Sequence, residues 1–251
     1  MERVVFSIFH TTDIHGRFSK EKVYKIKDIL ADCDTKRVLV DSGDILKGGN
    51  ILFYPFENTF RYIDNLKYTA ICLGNREFNY FRSVLYSRLN KYPFIACNIV
   101  DKRLRTQKIL PSIHMVIDFF RITIIGLTKP QYEEGSFWEV ITGFSFVNIF
   151  DCITEQIEKY YKLTDLFIIL SHLGIEGDLK LGEFIAMNYS NIMERFIVLG
   201  GHDHKEFFSD KFVPILHTKP HLSSISRIEF IFKCNKSHKI VGDIILERID
   251  L

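Results

Sequence analysis

Short apolar runs rich in Val, Ile and Phe recur at residues 4–10, 37–41, 69–73, 94–98, 165–171 and 196–200. Between them lie longer amphipathic segments at 20–32, 56–66, 81–90, 148–163 and 182–188. Strand-length runs alternating with helical periodicity predict βαβ units and a largely parallel sheet. Ser19 stands where the first helix needs an N-cap, and Asn148 and Asp151 where the fourth needs one. The texture changes at 113–119 and 121–127, two consecutive strand-like runs that predict a hairpin or a bent strand pair. The last stretch, 213–216, 225–233 and 239–247, reads as an antiparallel meander with a turn at 234–238. Parallel units combined with antiparallel pairs predict two packed sheets with helices outside. No repeat, low-complexity tract or Pro/Gly/Ser-rich linker divides the chain, so residues 1–251 are expected to form one domain.

Composition narrows this picture only slightly. Hydrophobic residues make up 47% and charged residues 25%, the balance of a globular protein with a substantial core. A formal net charge of +2 and scattered basic residues predict neither a nucleic-acid nor a membrane partner. Five cysteines, odd in number and without a C-x-x-C pair, predict reduced thiols rather than a disulfide framework. The N-terminus lacks a signal-peptide pattern and no apolar run is long enough to span a bilayer, so a cytoplasmic location is expected. The pattern leaves oligomeric state open.

Position carries the functional information. Metal-binding side chains fall directly after the predicted strands, where open α/β sheets collect their ligand-binding loops. T-T-D-I-H-G supplies Asp13 and His15, D-S-G-D supplies Asp41 and Asp44, and G-N-R-E supplies Asn75, Arg76 and Glu77. S-H-L-G supplies His172, and G-G-H-D-H supplies His202 and His204. Each fragment alone is ordinary turn chemistry. Five strand ends bearing carboxylates, an amide and imidazoles in one chain predict convergence on a pair of divalent cations. Glycines 16, 43, 74, 174, 200 and 201 flank these positions and permit close backbone approach.

Taken together, D-I-H-G, G-D, G-N-R-E-F, S-H-L-G and G-H-D-H resemble, in order and spacing, the motif set of the calcineurin-like metallophosphoesterases. The wider context, from about residue 6 to residue 230, is most similar to the catalytic domain of the 5'-nucleotidase and 2',3'-cyclic phosphodiesterase branch. The resemblance implies a four-layer α/β/β/α sandwich and a dinuclear centre of Mn, Fe, Zn or Ni. It implies that Asp13, His15, Asp44 and His204 hold one ion. Asp44, Asn75, His172 and His202 would hold the other, with Asp44 as the bridge. The implied activity is hydrolysis of a small phosphate mono- or diester, nucleotide-like ones included, by metal-activated hydroxide.

Two departures bear on that expectation. The family pattern G-N-H-E has a histidine that assists the leaving group, and here the position is Arg76. Arginine neutralises charge on phosphoryl oxygens but does not give up a proton near neutral pH. A degenerate relative that binds metal and a phosphorylated ligand with little turnover is therefore the alternative. His217 is the residue expected to supply the missing proton. Asn79 also replaces the acidic residue usual after E-F. Second, nucleotidases of this branch carry a C-terminal domain that clamps the nucleoside, and with the sequence stopping at Leu251 such a clamp is not expected here. Substrate choice is then expected from loops 47–57, 129–138 and 219–224. Trp138 is expected to pack on the core, His10 to support a ligand, His114 to be structural, and His221 and His238 to be exposed.

Overall fold

A computed structural model of the chain describes residues 2–48, 57–78, 82–104, 108–117, 119–234 and 239–251. The first half runs β1 (Glu2–Thr11), α1 (Lys20–Ala31), β2 (Lys36–Asp41), α2 (Thr59–Leu66), β3 (Ala70–Cys72), α3 (Arg82–Leu89) and β4 (Phe94–Ile95). It continues through β5 (Ile99–Asp101), β6 (Ser112–Ile117), β7 (Phe120–Thr128), α4 (Phe137–Thr142), β8 (Phe144–Phe146) and α5 (Ile149–Tyr160). The second half adds β9 (Leu166–His172), α6 (Ile175–Asn188), β10 (Phe196–Gly200), β11 (Phe207–Ser209), β12 (Ile215–His217), β13 (Ser224–Cys234) and β14 (Lys239–Asp250).

Two six-stranded mixed sheets result, ordered β14-β13-β1-β2-β3-β4 and β11-β12-β10-β9-β7-β6. Strands β1 to β4 run parallel to one another, as do β7, β9, β10 and β12 in the other sheet. Their alternation explains the consecutive apolar runs. On β9, Leu166, Ile168 and Leu170 enter a core that also holds Phe6, Ile8, Val38, Val40 and Phe230 from the first sheet. Phe167 and Ile169 point the other way, onto Cys152, Ile153 and Ile157 of α5 and Leu181 and Ile185 of α6. On the far face of the first sheet, Phe9, Leu39 and Ile71 meet Val23, Ile26, Ile63, Leu66 and Leu85 of α1 to α3. Three apolar layers therefore separate four structural layers, helix, sheet, sheet, helix, and the expected sandwich is present. Among the described residues no helix is long and apolar enough to cross a membrane.

Ser19 caps α1 by accepting from Lys22 N, and Asn148 caps α5 by accepting from the amides of Phe150 and Asp151. The 113–119/121–127 pair is the antiparallel hairpin β6–β7. Several boundaries differ from expectation. Strand β4 stops at Ile95 because Ala96 and Cys97 turn their amides to the carbonyls of Leu110 and Gly126. Helix α6 begins at Ile175, two turns before the glycine-interrupted pattern suggested. Loop 129–138 runs into a short helix capped by Ser136. Trp138 on that helix is 59% exposed, so the expectation that it packs on the core is corrected. The turn 235–238, residue 79 and most of loop 47–57 lie outside the described residues.

Candidate metal centre

At the carboxyl ends of the parallel strands the two sheets are stitched together. Asp13 N donates to Gly43 O, His15 N to Asp44 O and Gly16 N to Ile45 O, so the segments leaving β1 and β2 run as a bonded pair. Ser42 Oγ donates to Leu199 O at 2.5 Å, and His172 Nδ1 lies 2.8 Å from Ser42 O. His202 N donates to Asp13 Oδ2 at 3.0 Å. Side chains from β1, β2 and β3 of one sheet thereby face those from β9 and β10 of the other.

The backbone at these positions is unusual. Asp13, His15, Asp44, His202 and His204 all have positive φ, between 50° and 86°. For residues other than glycine this left-handed region costs about 1–2 kcal/mol each, and it persists where the surroundings over-determine it. Gly74 shows the crowding directly, since a Cβ there would stand 2.4 Å from Asp44 N and Oδ1.

Two donor clusters form, Asp13 with His15 and His204, and Asp13 with Asp44 and His172. His15 Nε2 lies 2.8 Å from His204 Nε2 and 3.9 Å from Asp13 Oδ1, and His204 Nε2 lies 3.4 Å from Asp13 Oδ1. Asp44 presents Oδ2 to His15 at 3.9 Å and Oδ1 to His172 Nε2 at 3.5 Å. His202 stands with its ring 5.2 Å from that of His172, while its Nε2 lies 3.0 Å from Lys129 Nζ, outside both clusters. Three buried atoms of this set have no hydrogen-bond partner: Asp13 Oδ1, Asn75 Oδ1 and His172 Nε2.

Electrostatics divide the imidazoles. Burial pulls His15 down to about 4, against the attraction of Asp44 and Asp13, so it stands neutral at pH 7. Burial pulls on His172 too, but its contact with Asp44 and the charges of Asp13 and Glu77 outweigh it and lift the group to about 9. Asp44 feels the reciprocal pull: burial raises it, yet His172, the Arg76 amide and His15 hold it below the usual carboxylate range. Glu77 is raised to about 7, by burial and then by Asp44. Its carboxylate accepts from Asp44 N, Leu46 N and Gly74 N, tying the β2 and β3 exits together.

The remaining expectations sort by position. Arg76 donates its amide to Asp44 Oδ1 at 2.7 Å and lines a cleft of about 600 Å³ with His15, Gly16, Arg17, Lys47, Gly48, His204 and His221. His217 does not line it. It sits in strand β12, 1% exposed, with Nε2 2.7 Å from Asp178 Oδ2, so the structure does not bring it to the cleft wall where a proton donor was expected. His221, expected as an exposed bystander, is in the cleft wall, its ring 5.4 Å from His15 and 5.2 Å from His204. Its amide donates to Asp13 O, and the sequence offered no motif to reveal this. His10 is fully buried and bonds Ser42 Oγ and Thr218 Oγ1 rather than a ligand side chain. His114 is structural, hydrogen-bonded to Thr123 and stacked on Tyr160. His238 lies outside the described residues.

Comparison with known proteins gives the family and the fold. The sequence model of the calcineurin-like phosphoesterases matches residues 6–206. An apyrase of Aedes aegypti is 27% identical over 235 residues, covering 81% of this chain and 40% of its own length. A 2',3'-cyclic-nucleotide 2'-phosphodiesterase/3'-nucleotidase of Salmonella typhimurium is 28% identical over 207 residues, covering 71% of this chain and 31% of its own length. The chain thus spans well under half of these relatives. The crystal structure of the calcineurin-like phosphoesterase YfkN from Bacillus subtilis superposes with a TM-score of 0.80 at 18% identity, covering 99% of this chain and 91% of that one, and shares the fold.

Proposed function

The chain belongs to the calcineurin-like phosphoesterase family, and on that premise we propose that it is a hydrolase of small phosphate esters built around two divalent cations. The observation that carries the reading is the trio of buried, unpartnered ligand atoms, Asp13 Oδ1, Asn75 Oδ1 and His172 Nε2. Left unmet, a buried polar atom costs about 1–3 kcal/mol, and a cation satisfies oxygen and imidazole nitrogen together. Asp13, His15, Asp44 and His204 would hold one ion, and Asp44, Asn75, His172 and His202 the other. Asp44 suits the bridging role because its two oxygens face His15 and His172 respectively. The mixed O/N donor set fits Mn, Fe, Zn or Ni.

Bound there, two such cations supply Lewis acidity toward phosphoryl oxygens and acidify coordinated water. The protein's own share is positioning and charge. Glu77 fixes the Asp44 and Asn75 loops through three amides. Arg76 opens onto the cleft, where its guanidinium stabilises negative charge on an equatorial phosphoryl oxygen. The names of the relatives point to nucleotide phosphates, and we extend that class to this chain. Its scattered cysteines support a reducing, cytoplasmic setting.

A second reading is favoured by Arg76 itself, which stands where the family has a proton-donating histidine: a degenerate member that binds metal and a phosphorylated ligand with little turnover. One experiment separates the two. Metal-free protein is reloaded with Mn, Ni, Zn or Fe, and hydrolysis of aryl phosphate mono- and diesters is measured. Turnover that disappears in Asp44→Asn supports the hydrolase. Metal binding without turnover, with activity gained in Arg76→His, supports the degenerate reading.

A further inference from the structure

The cleft beside the donor clusters has a wall that the metal centre does not account for. Apart from His15 and His204, its lining side chains are Arg17, Lys47, Arg76 and His221, and among the described residues no carboxylate lines it. The cations come from separate segments. Arg17 follows the β1 exit, Lys47 the β2 exit, and Arg76 the β3 exit. Among the described residues neither the Arg17 nor the Arg76 guanidinium forms an ion pair or side-chain hydrogen bond. Both line the cleft beside His15, His204 and His221.

The frame is also fixed. The Arg76 stem lies along Gly48, where a Cβ would come within 2.6 Å of its Cδ. His221 and Leu222 adopt left-handed φ of 64° and 50°. Lys22 Nζ holds that turn by donating to Leu222 O at 2.5 Å, and His221 N by donating to Asp13 O at 3.0 Å. A scissile phosphoryl group at the metal centre, met by Arg76, leaves the Arg17 guanidinium on the cleft wall without a counter-charge among the described residues. A single phosphoryl group fills only part of a cleft of about 600 Å³.

We propose that this wall is a subsite for a second phosphoryl group, with Arg17 as its principal residue and Arg76 shared between the two phosphates. The preferred substrates are then small esters carrying two phosphoryl groups, joined by an anhydride or by a short carbon bridge, rather than simple monoesters. This rests on the proposed phosphoesterase reading and specifies its substrate class. The subsite binds and orients, and the bond cleaved is the one at the metal centre.

The test compares propane-1,3-diphosphonate with propylphosphonate, two ligands that are not hydrolysed, by titration calorimetry on metal-loaded protein, beside turnover of an aryl phosphate. The diphosphonate is expected to bind at least about tenfold more tightly, the effect of one charge-assisted contact. In Arg17→Ala that ratio is expected to fall about tenfold. Arg17 is exposed, so the variant is expected to fold, and unchanged metal uptake verifies it. Equal affinities in the wild type, or a ratio that Arg17→Ala leaves intact, overturn the subsite while aryl phosphate turnover keeps the hydrolase standing. Absence of both turnover and phosphonate binding overturns both.

Discussion

Residue by residue, the centre combines strain with unmet polarity. Five ligand candidates occupy left-handed backbone, and His172 buries an imidazole whose Nε2 has no hydrogen-bond partner. In metal-free protein His172 is raised to about 9. A folded pKa above the unfolded value of about 6.5 stabilises the protein below that value and is lost as pH rises through 9. Metal-free protein is therefore predicted to lose about 2 kcal/mol between pH 7 and pH 9 through this group, read by urea unfolding. The same proton must leave when a cation takes Nε2. At pH 8, metal loading is predicted to release about one proton, seen as a calorimetric enthalpy that varies with the ionisation enthalpy of the buffer. A buffer-independent enthalpy would contradict it.

His10 behaves oppositely. Burial, followed by the nearby His217, depresses it to about 3. Its neutral ring stabilises the fold above about pH 6.5, and that contribution falls away as pH drops toward the folded value. Between pH 7 and pH 5 the wild type is predicted to lose about 2 kcal/mol more than His10→Gln, by denaturant unfolding at the two pH values. Equal slopes would mean that His10 is not buried neutral.

At the level of elements, close approach between strands sets the tolerances. Gly126 on β7 lies against β4, where a Cβ would stand 2.5 Å from Ile95 O, a backbone atom that cannot swing aside. Gly126→Ala is predicted to destabilise by about 1–3 kcal/mol in urea unfolding, with metal affinity changed less than stability. The elements also show what the sequence could disclose. Runs such as 165–171 were legible because both faces of β9 are buried, which forces consecutive apolar residues. Strand β11 escaped notice because three residues, Phe207–Ser209, carry no periodicity of their own and form only by pairing with β12. Helix α6 hid its first two turns behind Gly177, whose missing side chain makes room for Leu173 rather than ending the helix. Most of the candidate centre was legible because each ligand candidate ends or follows a strand. His221 was not, since a turn imposed by Lys22 and Asp13 O, not a motif, brings it to the cleft. His217 misled for the complementary reason: chain proximity to the H-D-H segment says nothing about which face of β12 its ring takes.

Across the whole molecule, the proposed ions would join the two sheets. Asp13, Asp44 and Asn75 come from β1, β2 and β3 of one, while His172, His202 and His204 come from β9 and β10 of the other. A ligand that binds only the folded chain stabilises it by about 2.7 kcal/mol at a hundredfold excess over its dissociation constant. For a chain of this length that corresponds to a rise in Tm of about 5–10 °C. Asp13→Asn, which removes a carboxylate shared by both donor clusters, is predicted to abolish the rise.

The most direct measurement is the number of ions bound per chain, by elemental analysis of protein reloaded with Mn or Zn and freed of excess metal. The account predicts two per chain in the wild type, falling to one or none in Asp44→Asn. A chain that retains no metal, or one whose metal content is indifferent to Asp44, would contradict it.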